Sequence, residues 1–172
     1  MDRILVASSN DKATAMLVSL LKETFPTCKT SIAATGLETR RAVGSGSYDC
    51  VVINCPLSDE YGNELAEIVC TSTDASCVAI AKSENADILA DKLEDFGVMV
   101  IPKPLGRQYF SENLKLHKKL EEIRTINRAK CSLMQYLGFT EQQAHKYLEK
   151  QAMDKRCTKI EVAQKVIEMY EV

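Results

Sequence analysis

Short apolar runs recur along the first hundred residues and alternate with stretches of helical spacing. Four of the five runs have four or five consecutive apolar positions, the pattern of a strand buried on both faces, and the run at 31–34 is weaker, with three. The predicted strands lie at 3–7, 31–34, 50–53, 77–81 and 98–101. Helices such as the one predicted from Asp11 to Glu23 separate them. Near-continuous apolar strands joined by helices predict a parallel five-stranded sheet covered by helices on both faces, with function at the carboxyl ends of the strands.

The strand pattern stops at Arg107, where a long helix is predicted to begin. Leu116, Leu120 and Ile123 follow a four-then-three spacing, which Asn127 continues four residues later. This spacing suits a short two-stranded coiled coil, with Asn127 as a polar position that sets the register. We therefore expect these four residues to mediate dimerisation. The alternative, a helix that packs the stripe against its own domain, stays open.

Two capping boxes divide the last forty-odd residues into three short helices. Thr140 stands three residues before Gln143, and Thr158 three before Glu161, so each Thr can accept from a first-turn N–H while the longer side chain reaches back. We predict helices that end near Leu137 and Gly138, run from about Glu141 to Lys155, and begin at Lys159. The predicted core positions are Ala129, Leu133, Leu137, Ala144, Tyr147, Leu148, Ala152, Ile160, Ala163, Ile167 and Tyr170.

Charge divides the chain in the same place. Residues 1–106 carry 9 Lys and Arg against 15 Asp and Glu, whereas residues 107–172 carry 13 against 9. An acidic first half and a basic second half indicate two functional parts, which the net charge of −2 conceals.

The composition gives no sign of a membrane segment, a metal site or an enzyme. There is no apolar run of about eighteen residues and no signal-peptide pattern after Met1. The seven cysteines form no C-x-x-C pair and only two histidines are present, so we expect no zinc site, no other cofactor and a reducing cytoplasm. No phosphate-binding glycine loop or catalytic triad is evident, and His117 and His145 are interpreted as ordinary surface side chains.

The order of residues in the C-terminal part resembles the ANTAR domain, the RNA-binding antiterminator module of bacterial response regulators. The resemblance rests on Arg128-Ala129-Lys130, Leu133-Met134, Thr140 with Gln143-Ala144, Tyr147-Leu148, Ala152-Met153-Asp154 and Val162-Ala163. It implies a three-helix RNA-binding domain that engages hairpin loops as a dimer. The residues expected to bind RNA are Arg128, Lys130, Gln142, His145, Lys146, Lys155, Arg156, Thr158 and Lys159.

Residues 1–106 resemble the receiver domain of two-component systems, but they lack its phosphorylation chemistry. The resemblance rests on the strand that leads to Asn54, on Gly62 eight residues later, and on Lys103-Pro104 after the fifth strand. Asn54 occupies the position of the phosphoacceptor aspartate, and an amide is not a nucleophile for phosphoryl groups. The acidic pair that would hold Mg²⁺ falls on Ser8 and Ser9, a poor magnesium site.

The switch positions also depart from the receiver pattern. Ala81 stands at the Ser/Thr position and Val100 at the aromatic position, so only Lys103 is kept of the chemical set. We therefore interpret this half as a pseudo-receiver that is not phosphorylated. What replaces phosphorylation stays open between an unidentified signalling protein or small ligand, sequestration and constitutive activity.

The sequence thus predicts three parts with one regulatory function. A flavodoxin-like pseudo-receiver at 1–106 is followed by a helical coiled-coil linker at 107–126 and an all-α ANTAR domain at 127–172. The expected function is dimeric binding of hairpin loops in leader RNA that favours the antiterminated transcript. Two alternatives stay open: a DNA-binding response-regulator-like transcription factor, and a protein-interaction adaptor without nucleic-acid binding.

Overall fold

The computed structural model describes residues 1–170, which divide into two compact units, Met1–Lys115 and the residues from Leu116 onward. Glu171 and Val172, the last residues of the predicted ANTAR domain, lie outside the described residues. The predicted boundaries at 106 and 126 both fall at or within one unbroken helix, α5 (Arg107–Leu137). The division of this helix into a linker and an ANTAR segment stays a prediction.

The N-terminal unit is a five-stranded parallel sheet in the order β2-β1-β3-β4-β5, which confirms the predicted α/β fold class. Its strands are β1 (Arg3–Ala7), β2 (Lys29–Ala33), β3 (Cys50–Asn54), β4 (Ser76–Lys82) and β5 (Met99–Lys103). Its helices are α1 (Asp11–Thr24), α2 (Gly36–Ser45), α3 (Asn63–Ser72) and α4 (Ser83–Leu93), followed by a 3₁₀ turn at Glu94–Phe96. The beginning of α5 completes the unit.

Two apolar clusters hold the helices on opposite faces of the sheet. Successive side chains of a strand point to opposite faces, so Ile4 and Val6 pack with α1 and the start of α5, whereas Leu5 and Ala7 pack with α3 and α4. Phe110, on α5, is fully buried in the first cluster. The three central strands are therefore covered on both faces, as their continuous apolar runs predict.

Strand β2 is one of the two edge strands of the sheet, with β5 at the other edge. Strand β2 pairs only with β1, and most of its residues are exposed or half-exposed, including Ile32. The prediction of a strand buried on both faces is wrong here. The sequence pattern of β2 is also the weakest of the five, with three consecutive apolar residues at 32–34.

The C-terminal unit contains the rest of α5, α6 (Glu141–Lys155) and α7 (Lys159–Tyr170), with bounds close to those predicted. Its core contains Ala129 and Leu133 of α5, which pack with Leu148 of α6 and Ala163 of α7. Gly138 ends α5 with φ 67°, the left-handed position that favours glycine. The predicted core position Leu137 is wrong, because its side chain is 43 % exposed.

Candidate functional site

Two capped helix starts fix the polar surface of the C-terminal unit. At α6, the Gln143 amide N–H donates to Thr140 Oγ1 at 3.3 Å and the Thr140 N–H donates to Gln143 Oε1 at 2.8 Å. At α7, the Glu161 N–H donates to Thr158 Oγ1 at 3.2 Å and the Thr158 N–H donates to Glu161 Oε2 at 2.7 Å. Both predicted capping boxes are therefore confirmed. The hydrogen bonds within the second box hold the pKa of Glu161 below its usual value.

A tight turn joins α6 to α7 and brings four of the predicted RNA-binding residues together. Lys155 ends α6, Arg156 follows with φ 49°, and Thr158 caps the helix that begins at Lys159. Arg156 adopts a left-handed conformation that non-glycine residues rarely adopt, while its N–H donates to the carbonyl of Met153 at 3.2 Å. The turn therefore places cations beside the positive end of the α7 dipole.

One face of α6 carries three more of the predicted residues. His145 and Lys146 follow Gln142 by three and four residues, so both lie beside Gln142 on the helix surface, and all three are exposed. Glu149 lies on the same side, one turn further on. We call Gln142, His145, Lys146 and Glu149 the α6 face.

Glu149 connects the α6 face to the start of α7, a role that no sequence pattern predicted. Its Oε1 accepts from Lys159 Nζ at 3.0 Å and lies 3.2 Å from His145 Nε2. The hydrogen bond from Lys159, followed by the charges of Lys159 and His145, lowers the pKa of Glu149. The carboxylate is therefore ionised at neutral pH and holds Lys159 against α6.

The two predicted residues on α5 have different surroundings. Arg128 is exposed, whereas the Lys130 side chain is only 15 % exposed and its Nζ donates to Glu141 Oε1 at 3.0 Å. Lys130 thus joins α5 to the first turn of α6. The Thr158 hydroxyl is likewise engaged within the cap, where it also donates to Glu161. Both residues contribute to the fold of the domain, and their predicted contacts with RNA stay predictions.

The predicted dimerisation stripe lies on the open surface of α5. Leu116, Leu120 and Ile123 are 43 to 53 % exposed, and Asn127 is exposed. The same spacing reaches Met134 and Leu137, which are also exposed, so the apolar stripe is longer than predicted. The sequence already contained the spacing, but Leu137 fits a core pattern equally well.

In the receiver-like unit, hydrogen bonds already satisfy the side chains at the phosphorylation positions. The Asn54 amide Nδ2 donates to Ser8 Oγ at 3.0 Å, and the Ser58 N–H donates to Ser9 Oγ at 2.9 Å. Lys103 Nζ donates to the backbone oxygen of Cys55 at 2.7 Å, and partial burial lowers the pKa of this amine. Ala81 is buried and Val100 is half-buried, and neither carries a polar side-chain group.

The loop that follows β3 is held against α2. Asp59 accepts from the N–H groups of Gly36 and Leu37, at 2.9 and 3.1 Å, and the hydrogen bond from Gly36 is the main cause of its lowered pKa. Glu60 pairs with Arg40 on the same helix. Both carboxylates are therefore engaged with α2.

The two histidines have opposite environments. His145 is exposed, as expected, but His117 on α5 is buried, so its interpretation as a surface side chain is wrong. Among residues 1–170, Nε2 of His117 has no hydrogen-bond partner, and burial lowers the pKa of its imidazole. Helical spacing alone did not distinguish this position from its exposed neighbours.

Within the described part of the chain, no group of His, Cys, Asp and Glu side chains is placed to hold a metal ion. In the same part, no helix combines the length and the apolar character needed to cross a membrane.

Comparison with known families supports the division seen in the structure. Residues 114–167 match the family model of the ANTAR domain. An aliphatic amidase regulator from Pseudomonas aeruginosa is 29 % identical over 136 residues, which cover 68 % of this chain and 69 % of the relative.

Solved structures show the fold of the N-terminal part. A two-component response regulator from Clostridium difficile has a TM-score of 0.61 at 19 % identity, over 69 % of this chain and 97 % of that one. A response regulator from Thermotoga maritima, in complex with Mg²⁺-BeF, has a TM-score of 0.57 at 23 % identity, over 68 % and 99 % of the two chains. At these identities the likeness establishes a receiver-like fold and nothing more.

Proposed function

We propose that this chain binds hairpin loops of leader RNA as a dimer. The premise is that it is a regulator with an ANTAR domain behind a receiver-like domain. Binding would favour the antiterminated form of the transcript. We further propose that the receiver-like domain is not phosphorylated. The observation that carries the proposal is the ANTAR match over 114–167, in the segment where the exposed α6 face adjoins the capped start of α7.

The α6 face and the turn after it supply two kinds of contact. Lys159, Lys155 and Arg156 stand at the start of α7, where the free N–H groups and the helix dipole favour a phosphate. Gln142 and His145 are exposed and offer donors and acceptors for base edges. Unpaired loop bases expose such edges, whereas the deep groove of duplex RNA hides them.

The consequence for transcription follows from linkage. A protein that binds only one of two competing RNA folds stabilises that fold by RT ln(1 + [protein]/Kd), about 2.7 kcal/mol at a hundredfold excess over Kd. If the bound hairpin excludes the terminator stem, this free energy favours read-through.

Filter binding with matched nucleic acids tests the RNA proposal. A hairpin selected from a pool with a randomised loop is compared with its loopless duplex and with DNA of the same sequence. We expect tight binding to the RNA hairpin only. Equal or tighter binding to duplex DNA would favour the transcription-factor alternative, and binding to neither would favour the adaptor.

The dimer proposal rests on the exposed stripe of α5. Replacing Leu120 and Ile123 together with Lys should lower the mass measured by sedimentation, because the charges would enter an apolar seam. Met153 on α6 is 78 % exposed and lies outside the stripe, so Met153→Lys is the matched control. A wild-type protein that is monomeric with and without the hairpin contradicts the proposal.

Mass spectrometry after incubation with acetyl phosphate and Mg²⁺ tests the absence of phosphorylation. We expect no gain of one phosphoryl group, because the Asn54 amide donates to the Ser8 hydroxyl and neither side chain is a carboxylate. A receiver with its aspartates intact serves as the positive control for the reagent. A stoichiometric adduct within residues 1–106 would contradict the pseudo-receiver interpretation.

A further inference from the structure

An aromatic pair at the ends of two helices of the C-terminal unit has no role in the site described above. The rings of Tyr136, near the end of α5, and Tyr170, at the end of α7, lie with their centroids 5.4 Å apart and their planes 15° from parallel. The other aromatic pair of this unit, Phe139 with Tyr147, meets edge to face at 63°. Between positions 116 and 170, the tyrosine pair is therefore the one with the flat geometry of a stack.

Exposure shows that the outer ring of this stack is accessible. Tyr170 packs against the three-helix core and is half-buried, whereas Tyr136 is 52 % exposed. Because Tyr170 lies on one side of the Tyr136 ring, a ligand has to reach the exposed surface of Tyr136 from another side. Tyr136 is thus an exposed aromatic side chain held against Tyr170, which itself packs on the core.

An exposed aromatic side chain held in place by a second ring suits a planar ligand. Stacking of a base on an aromatic side chain needs no particular sequence, because every base has a π-face. The surrounding segment is basic, with 13 Lys and Arg against 9 Asp and Glu over residues 107–172, which favours a polyanion as the source of that planar group.

The stack lies at the opposite end of α7 from Lys159. Lys159 and Tyr170 are the first and last residues of α7. At 1.5 Å per residue they lie about 16 Å apart along its axis. At most about five nucleotides, stacked at roughly 3.4 Å each, span this distance.

We propose that Tyr136, held by Tyr170, is a stacking platform for an unpaired base of the bound RNA loop. This proposal rests on the proposed RNA-binding function and specifies how one loop base is held. The platform contributes affinity for single-stranded loop nucleotides and makes no contact with phosphate.

Fluorescence of 2-aminopurine tests the proposal directly. The base analogue is placed at each loop position in turn of the selected hairpin, and stacking on Tyr136 should quench it at one of them. The chain contains no tryptophan, so the emission of the analogue is measured without overlapping protein fluorescence. Full-length protein is used throughout, with sedimentation and thermal melting recorded for every variant.

Three substitutions separate the ring from its hydroxyl. Tyr136→Leu should weaken hairpin binding roughly 5- to 150-fold, the range measured for loss of one base stack, and abolish the quenching. Tyr136→Phe should bind like the wild type, because it keeps the ring. Gln135→Leu, an exposed neighbour on α5, is the matched control and should also bind like the wild type.

Further readouts distinguish stacking from other causes. The salt dependence of Tyr136→Leu should match the wild type, because no phosphate contact is lost, and its weak binding to the loopless duplex should not change. If Tyr136→Leu fails to fold, Tyr136→Trp replaces it. Binding of the hairpin should quench the fluorescence of the indole in Tyr136→Trp, and absence of that quenching overturns the platform.

Two further outcomes overturn the platform while leaving the proposed function in place. One is wild-type binding by Tyr136→Leu. The other is a parallel loss of dimer mass and affinity in that variant, which would make this patch a surface between two copies of the chain. A wild-type protein that binds no RNA hairpin would instead overturn the proposed function itself.

Discussion

Glu149→Gln is the substitution that tests the α6 face most directly. The carboxylate holds Lys159 at 3.0 Å and lies 3.2 Å from His145, so an RNA phosphate that approaches Lys159 competes with it. Gln keeps the size of the side chain and its helix propensity but removes the negative charge. We therefore expect the variant to bind RNA more tightly than the wild type.

The size of the effect follows from the exposure of the pair. Glu149 and Lys159 are 46 and 40 % exposed, and exposed ion pairs are weak. Releasing Lys159 should therefore raise affinity only about two- to fivefold at low salt. If Lys159 then makes one complete phosphate contact, the slope of log K against log salt should steepen by no more than roughly 0.7 to 0.9.

Lys159→Ala should have the opposite effect. Loss of one phosphate contact weakens binding to all RNAs alike and flattens the slope by roughly 0.7 to 0.9. In the Lys159→Ala background, Glu149→Gln should have little effect, because the main cation that it would release is absent. This double-mutant cycle isolates the coupling between the two residues.

Fluorescence anisotropy of a labelled hairpin, recorded across a series of NaCl concentrations, measures the affinity of the wild type, of the two single variants and of the double variant. Glu168→Gln, an exposed position on α7, makes the same change in net charge away from the α6 face and is the control. If Glu149→Gln and Glu168→Gln raise affinity equally, the effect is one of net charge. If Lys159→Ala binds like the wild type at every salt concentration, the start of α7 is not the phosphate site.

Three further predictions concern the pH dependence of stability, the core of the C-terminal unit and a contact with an RNA base. Because burial lowers the pKa of His117, the unfolded state binds a proton first, so thermal stability should fall as the pH drops below about 6.5, by at most about 1.4 kcal/mol per unit. His117→Gln should lose this part of the pH dependence, whereas His145→Gln should keep it, and equal pH profiles would refute the assignment. Leu148→Ala should destabilise the C-terminal unit by about 2–5 kcal/mol in chemical denaturation, because Leu148 is fully buried; a cost under 1 kcal/mol would contradict this core. Gln142→Ala should cost about 1–3 kcal/mol on the selected loop if Gln142 contacts a base edge, a magnitude borrowed from DNA, and leave non-specific binding unchanged. An equal loss on both RNAs would rule out that base contact.

Local patterns determined much of this protein without reference to distant residues. The capping boxes at Thr140 and Thr158 each need only a residue three positions away, and both form as predicted. The left-handed position of Gly138 is likewise local. The continuous apolar runs of the central strands predicted a sheet covered on both faces, because only burial on both faces makes such runs favourable.

Tertiary structure decided which apolar stripe of a helix is buried. On α5 the core residues Ala129 and Leu133 lie beside an exposed stripe that includes Met134 and Leu137. Both sets have helical spacing, so periodicity alone does not separate them. The same limit explains why His117 was expected at the surface, although it is buried.

Tertiary structure also decided the role of polar groups that meet across helices. Lys130 contacts Glu141 eleven residues away, Lys159 contacts Glu149 ten residues away, and Tyr136 stacks on Tyr170. A residue's spacing within its own helix determines the side on which it lies, but not what faces it. What faces a residue depends on how the helices pack around their shared core. For this reason the sequence predicted the basic surface, while the structure alone revealed the partners of its side chains.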